Sequence, residues 1–149
     1  MERTRTAVLT QPRAGFAVAA APDLSRRDVQ ARLSSAAVLA FFKVMDAWSV
    51  RDEVARQLLG GVSNGVYYQW KRGTGKTLDQ DKLTRISLVV GIFKALNILY
   101  SAALADSWMR RPNMNPIFGG EPPLEYVRKG GIPALQSLRR LLDSRRGGL

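Results

Sequence analysis

Side chains that can contact nucleic acid cluster between residues 63 and 76. The amides of Asn and Gln can pair with base edges in the DNA major groove, whereas Lys and Arg suit the phosphate backbone. The candidate DNA-contacting residues are Ser63, Asn64, Tyr67, Tyr68, Gln69, Lys71, Arg72 and Lys76.

The charge of the chain is strongly positive and unevenly distributed. Its 149 residues include 23 basic and 12 acidic side chains, a net charge of +11, which indicates a nucleic acid, a membrane surface or an acidic protein cleft as partner. Residues 1–33 carry +3, residues 51–85 carry +3 and residues 110–149 carry +5. Residues 34–50 and 86–109 are neutral and apolar, and we expect them to form the core.

Several kinds of chemistry are made improbable by composition. The sequence contains no histidine and no cysteine, so it lacks the commonest general base, a thiolate nucleophile and the usual transition-metal ligands. Residues 73–77 resemble a phosphate-binding loop, but the preceding strand and the full glycine spacing are missing. We therefore expect no enzymatic activity, no cofactor and no metal site.

The longest nearly uncharged stretch, residues 86–105, is interrupted by Lys94 and Asn97. A lysine in the middle of a membrane span is costly, so this stretch predicts a buried core helix. The mild apolar stretch 14–21 is too weakly hydrophobic for a signal peptide. We expect a cytoplasmic protein that does not interact with membranes.

Apolar residues recur at helical spacing along most of the chain, and no alternation typical of strands is present. We predict an all-α fold of about seven helices. Residues 1–33 are expected to form a flexible arm with a short helix capped by Ser25. Residues 34–100 are expected to form a helix-turn-helix domain, and residues 101–149 a small C-terminal helical module.

Capping residues and glycines mark the expected helix ends in the first domain. Ser34 or Ser35 is predicted to cap a first apolar helix. Ser49 is predicted to cap the first helix of the helix-turn-helix and Ser63 the second. The glycine pair 60–61 supplies the left-handed backbone of the turn between them.

In the second of these helices, Val66 and Trp70 are four residues apart and are expected to face the core. The positions expected to be exposed are Asn64, Tyr67 or Tyr68, Gln69, Lys71 and Arg72. The same pattern also fits two core helices with no DNA contact. The turn contains two glycines where such motifs usually have one, which keeps that alternative open.

The C-terminal elements follow the same logic. A long central helix is predicted over residues 79–99, followed by a shorter helix and by a loop over 111–123, where prolines and glycines exclude a helix. A short helix over 124–129 is expected to end at the glycine pair 130–131. Pro133 then suits the first turn of the last helix.

Four motifs carry a family resemblance: Trp70-Lys-Arg-Gly, Arg85-Ile-Ser…Gly91-Ile-Phe-Lys-Ala-Leu, Arg111-Pro-Asn…Phe118-Gly-Gly and Arg145-Arg-Gly-Gly. With these motifs, residues 35–149 resemble the Xre/MbcA/ParS antitoxin family, the partners of RES-domain toxins. The resemblance implies an Xre-like N-terminal domain that represses its own operon and a C-terminal domain that binds the toxin. It also implies homodimers within a larger toxin–antitoxin complex. RES toxins degrade NAD, and the antitoxin C-terminus lies against their active-site cleft.

The residue types of the C-terminal module are chemically suited to this implied contact. Arginines suit a cleft that accommodates a phosphate-bearing dinucleotide, and Phe118 can present an aromatic anchor on a glycine loop. Arg145, Arg146 and the flexible end 147–149 can enter the cleft. The same residues also fit an alternative in which Phe118 belongs to the core and the arginines form a solvated face. The candidate toxin-binding residues are Arg110, Arg111, Asn113, Phe118, Gly119, Gly120, Arg139, Arg140, Arg145, Arg146, Gly147 and Gly148.

Two other functions remain open at this stage. A stand-alone transcriptional repressor would bind operator DNA without a stable protein partner. An adaptor with a degenerate helix-turn-helix would bind protein only. The proline-bracketed C-terminal module argues against the first of these, because a repressor needs only dimerisation there.

Overall fold

A computed structural model describes residues 21–73 and 77–147 of the chain. Within these ranges every regular element is helical and no strand is present, as predicted. The elements are α1 (Arg27–Ala47), α2 (Asp52–Leu58), α3 (Asn64–Lys71), α4 (Gln80–Leu99), α5 (Ala102–Trp108), a 3₁₀ turn (Pro116–Phe118) and α6 (Pro123–Gly147). None of the helices in the described ranges has the length and apolar character that a membrane crossing requires.

The central helix is α4, which packs against α1, α5 and α6. Its core residues Ile86, Val89 and Ile92 are at most 2% exposed. Asp79 caps the helix, since its Oδ1 accepts a hydrogen bond from the Lys82 backbone N–H at 2.9 Å. The prediction of a buried central helix that begins after Asp79 is therefore confirmed.

The first helix differs from the expectation, because α1 runs without interruption through the two serines predicted to start it. The Ser34 hydroxyl donates to the Gln30 carbonyl at 2.6 Å and accepts from the Leu78 backbone N–H at 2.8 Å. A serine that bonds back to the carbonyl four residues earlier can remain inside a helix. Ser34 is thus buried and ties α1 to the segment that leads into α4, while Ser25 lies outside the helix.

The helix-turn-helix begins two residues later than expected. Ser49 does not cap α2, because it has a left-handed backbone (φ 55°) and the helix starts at Asp52 with Arg51 as its N-cap. The turn agrees with the prediction, since Gly60 and Gly61 have φ angles of 88° and 85°. Ser63 caps α3 as predicted, with its Oγ accepting from the Val66 backbone N–H at 3.3 Å.

The last helix is bent where two helices were expected to meet. Within α6, Gly131 has φ 63° and ψ −148°, a conformation that is not helical. Val127 is buried before this kink, and Leu135, Leu138 and Leu142 are buried after it. The kink lets both segments of α6 contribute to the same core.

Replacing Gly131 with alanine tests the kink. The backbone conformation at this position is strained for any side chain, so we expect Gly131→Ala to lower the free energy of unfolding by about 1–3 kcal/mol. Urea denaturation measures the change. Gly65→Ala is the control, because Gly65 lies within α3 with open space around it, and alanine there should raise stability by about 0.5–1 kcal/mol. Equal stability of wild type and Gly131→Ala would contradict the strain.

Candidate functional site

The side of α3 that faces the core differs from the predicted one. Tyr67 is buried, at 1% exposed, whereas Val66 is 37% exposed. The prediction that Val66 faces the core and that Tyr67 is available to DNA is therefore wrong. The reason lies in α1, where the Phe42 ring meets the Tyr67 ring edge to face with centroids 5.3 Å apart. Trp70, half-buried, completes the inner side of α3 as predicted.

The solvent side of α3 is formed by Gly65, Tyr68, Gln69 and Arg72, all exposed and spaced so that they share one helix face. We call these four residues the α3 outer face. Asn64 is exposed at the start of the helix. Gly65 was not among the predicted residues, although the spacing of three, four and seven residues from its neighbours could have identified it. Because Gly65 has no side chain, another molecule can approach the backbone closely there.

A hydrogen-bond network around Asp52 connects α2 to α3. The Asp52 carboxylate accepts from the Tyr67 hydroxyl at 2.6 Å, the Tyr68 hydroxyl at 3.0 Å and the Lys71 ammonium at 2.8 Å. The hydrogen bonds from Lys71 and Tyr67 lower the pKa of Asp52 to about 2. Burial and the bond to Asp52 raise the pKa of Tyr67. Asp52 therefore stays ionised and holds the two helices together.

The Asp52 network reduces the positive charge that Lys71 can offer to a DNA phosphate. The Lys71 ammonium is already paired with Asp52, and the hydrogen bond to that carboxylate raises the pKa of Lys71. Its charge is thus largely compensated within the protein. Arg72, on the α3 outer face, is exposed and better placed for a phosphate. The predicted contact residue Lys76 lies outside the described residues.

In the C-terminal module, Phe118 is not the exposed anchor that was predicted. It is 3% exposed, and its ring packs edge to face against Trp108 and Tyr126, with centroid distances of 6.1 and 5.4 Å. Large aromatic side chains gain most by burial, and the 3₁₀ turn directs this ring inwards. The buried Phe118 ring therefore packs the loop between α5 and α6 against these two helices.

The other predicted residues of this loop lie at the surface. Arg110, Arg111, Gly119 and Gly120 are exposed, and Asn113 is half-buried. The two glycines have φ angles of 59° and 85°, which a left-handed turn requires. These residues thus remain candidates for contact with a partner.

The arginines near the end of α6 are partly engaged with neighbouring groups. Asp143 accepts from Arg139 Nε at 3.0 Å and from Arg146 Nη1 at 3.2 Å. Arg145 Nη1 donates to the Tyr100 hydroxyl at 3.3 Å, and Arg140 Nη2 donates to a serine hydroxyl at the same distance. The arginines therefore form an ordered basic surface at the end of the helix.

The prediction that Gly147 belongs to a flexible end is wrong, because this residue is helical. Gly147 is the last residue of α6, so the arginines before it are held on a helix, and Gly148 lies outside the described residues. Leu142, fully buried, is the last core residue of the helix. Residues 143–147, which follow it in the described part of the chain, are half-buried or exposed and add little to the core.

Within residues 21–73 and 77–147, no group of three or more possible ligands is positioned to hold a metal ion.

The geometry defines a class of protein: a helix-turn-helix domain joined through α4 to a C-terminal helical module. Residues 28–91 match the antitoxin Xre-like helix-turn-helix domain, and residues 95–148 match the antitoxin Xre/MbcA/ParS C-terminal toxin-binding domain. The chain belongs to this antitoxin family.

The chain is 36% identical over 110 residues to the uncharacterized protein y4oB of Sinorhizobium fredii (strain NBRC 101917 / NGR234). That alignment covers 73% of this chain and 83% of the relative. No solved structure shows a significant match to the chain.

The Asp52 network predicts a pH dependence of stability. The pKa of Asp52 is lowered in the folded state from 3.8 to about 2, so its stabilising effect is present above about pH 4 and is lost as the pH falls towards 2. We expect wild type to lose more free energy of unfolding than Asp52→Asn over this interval. The difference should be below about 1 kcal/mol, because the pair with Lys71 is partly exposed. Urea denaturation at stepwise pH measures it, and parallel curves would contradict the network.

Proposed function

We propose that this antitoxin neutralises a RES-family, NAD-degrading toxin by binding it through the C-terminal domain and covering its active site with the end of α6. The observation that carries the proposal is the match of residues 95–148 to the toxin-binding domain. The end of α6 supports it, because Arg145 and Arg146 lie beyond Leu142, the last buried residue of this helix. Their guanidinium groups can pair with carboxylates of a cleft or with phosphates of a bound dinucleotide.

We also propose that the protein represses its own operon in the cytoplasm. The match of residues 28–91 to an Xre-like helix-turn-helix supports DNA binding. The α3 outer face offers Gln69 for base edges and Arg72 for phosphate, and Asp52 holds α3 against α2. A homodimer would place two copies of α3 in successive major grooves, as helix-turn-helix dimers do. The toxin-binding match disfavours a repressor that acts without a protein partner.

The neutralisation proposal is tested by cellular NAD. We expect expression of the neighbouring gene alone to deplete NAD, and co-expression of the full chain to keep NAD at the level of uninduced cells. A chain lacking residues 144–149 should protect less than the full chain, because the removed segment carries the two terminal arginines. Its fold should persist, since Leu142 remains, and thermal unfolding followed by circular dichroism checks this.

The possible failures of this experiment have different meanings. Full protection by the folded, truncated chain would show that the end of α6 does not cover the active site. A neighbouring gene that is toxic without loss of NAD would show that the toxin is not of the proposed kind. Absence of any protection by the full chain would overturn the proposal as a whole.

The DNA-binding proposal predicts different effects for the adjacent basic residues Lys71 and Arg72. Arg72→Ala should weaken binding to the promoter of the operon and reduce the slope of log affinity against log salt by about one. Lys71→Ala should reduce the slope less, because Asp52 already compensates that charge. Arg140→Ala on α6 is the control for loss of one exposed arginine. Fluorescence anisotropy at several salt concentrations measures the slopes, and a larger effect of Lys71→Ala would contradict the assignment.

A further inference from the structure

The loop between α5 and α6 is closed at its base. The Leu124 backbone N–H donates to the Met109 carbonyl at 2.9 Å, so the chain leaves and returns at nearly the same point. A compact surface loop with its ends close together is often functional. We call residues 110–122 the α5–α6 loop.

Internal hydrogen bonds give the α5–α6 loop a defined shape. Asn113 Oδ1 accepts from the Asn115 backbone N–H at 2.9 Å, and Asn115 Oδ1 accepts from the Ile117 backbone N–H at 3.1 Å. The Glu121 backbone N–H donates to the Phe118 carbonyl at 3.0 Å. Together with the buried Phe118 ring, these bonds hold the tip of the loop in one conformation.

The tip presents apolar side chains to solvent. Met114 is 97% exposed and Ile117 is 43% exposed, although the loop around them is ordered by hydrogen bonds. Arg110 and Arg111 are exposed at the beginning of the same loop. The exposure of Met114 does not stabilise this chain, whereas burial against a partner would remove its apolar surface from water.

We propose that Met114 and Ile117 form an apolar anchor of the toxin interface, with Arg110 and Arg111 beside it. The inference rests on the proposed toxin binding and assigns it a second contact, separate from the end of α6. The complementary surface on the toxin is an apolar pocket with an acidic rim. Phe118 was predicted from the sequence to be the apolar anchor of this interface, and Met114 and Ile117 replace it in that role.

Two observations favour the toxin as the occupant, and a third feature favours binding. The loop lies within residues 95–148, which match the toxin-binding domain. The segment 110–149 carries +5, which favours an acidic rim on the partner. The preformed loop also lowers the conformational entropy lost on binding, and the flexible Met114 side chain can fill an irregular pocket.

The test uses the full chain and the purified toxin encoded beside its gene, with affinities from isothermal titration calorimetry. We expect Met114→Ala and Ile117→Ala each to weaken binding by about fivefold or more, and the double variant by about thirtyfold or more, as at other interface hot spots. Leu39→Ala is the matched control, because Leu39 is 60% exposed on α1, outside the toxin-binding domain. It should leave the affinity unchanged. Thermal unfolding should be the same for all four variants, since none of these side chains is buried.

The outcomes distinguish the anchor from the function on which it rests. If wild type does not bind the toxin, the proposed function fails. If wild type binds and the folded double variant binds equally well, only the anchor is overturned. A double variant that loses self-association in analytical ultracentrifugation but keeps wild-type toxin affinity would assign the loop to a contact between antitoxin copies and overturn the proposal.

Discussion

The burial of α4 is the constraint on which both halves of the protein depend. Ile86, Val89, Ile92 and Leu96 are at most 2% exposed, and the helix is covered by α1, α5 and α6. A helix that is apolar on nearly all sides must be enclosed by other elements. The two family matches meet within α4, since one ends at residue 91 and the other begins at residue 95. The helix-turn-helix half and the toxin-binding half are therefore built on one shared core.

A hydrogen bond between the two halves, and a contact of the central helix with the glycine turn, reinforce this arrangement. Arg128 Nη1, on α6, donates to Gln57 Oε1, on α2, at 3.4 Å. Arg85 on α4 is bonded to Asp81 and lies beside Gly60, so that a side chain at Gly60 would meet its guanidinium group. The glycine turn of the helix-turn-helix is thus shaped both by its own backbone and by a residue of the central helix.

Net charge alone is a poor guide to which cations can reach a partner. Asp52 compensates Lys71, and Asp143 engages Arg139 and Arg146, so part of the positive charge is held within the protein. The count of residue types predicts a basic protein, but it cannot identify these pairs. Lys71 is separated from Asp52 by 19 positions, and only the packing of α2 on α3 brings them together.

The sequence by itself determined the helical class, the central helix and the caps at Ser63 and Asp79, because these depend on hydrophobic periodicity and on hydrogen bonds between near neighbours. Tertiary structure alone decided which side of α3 is buried. Val66, Tyr67, Tyr68 and Trp70 offer apolar surface in several directions, so periodicity permits more than one rotation. The Phe42 ring on α1 selects the rotation that buries Tyr67. In the same way, the burial of Phe118 could not be read from its aperiodic loop, because it depends on the helices that pack around this ring.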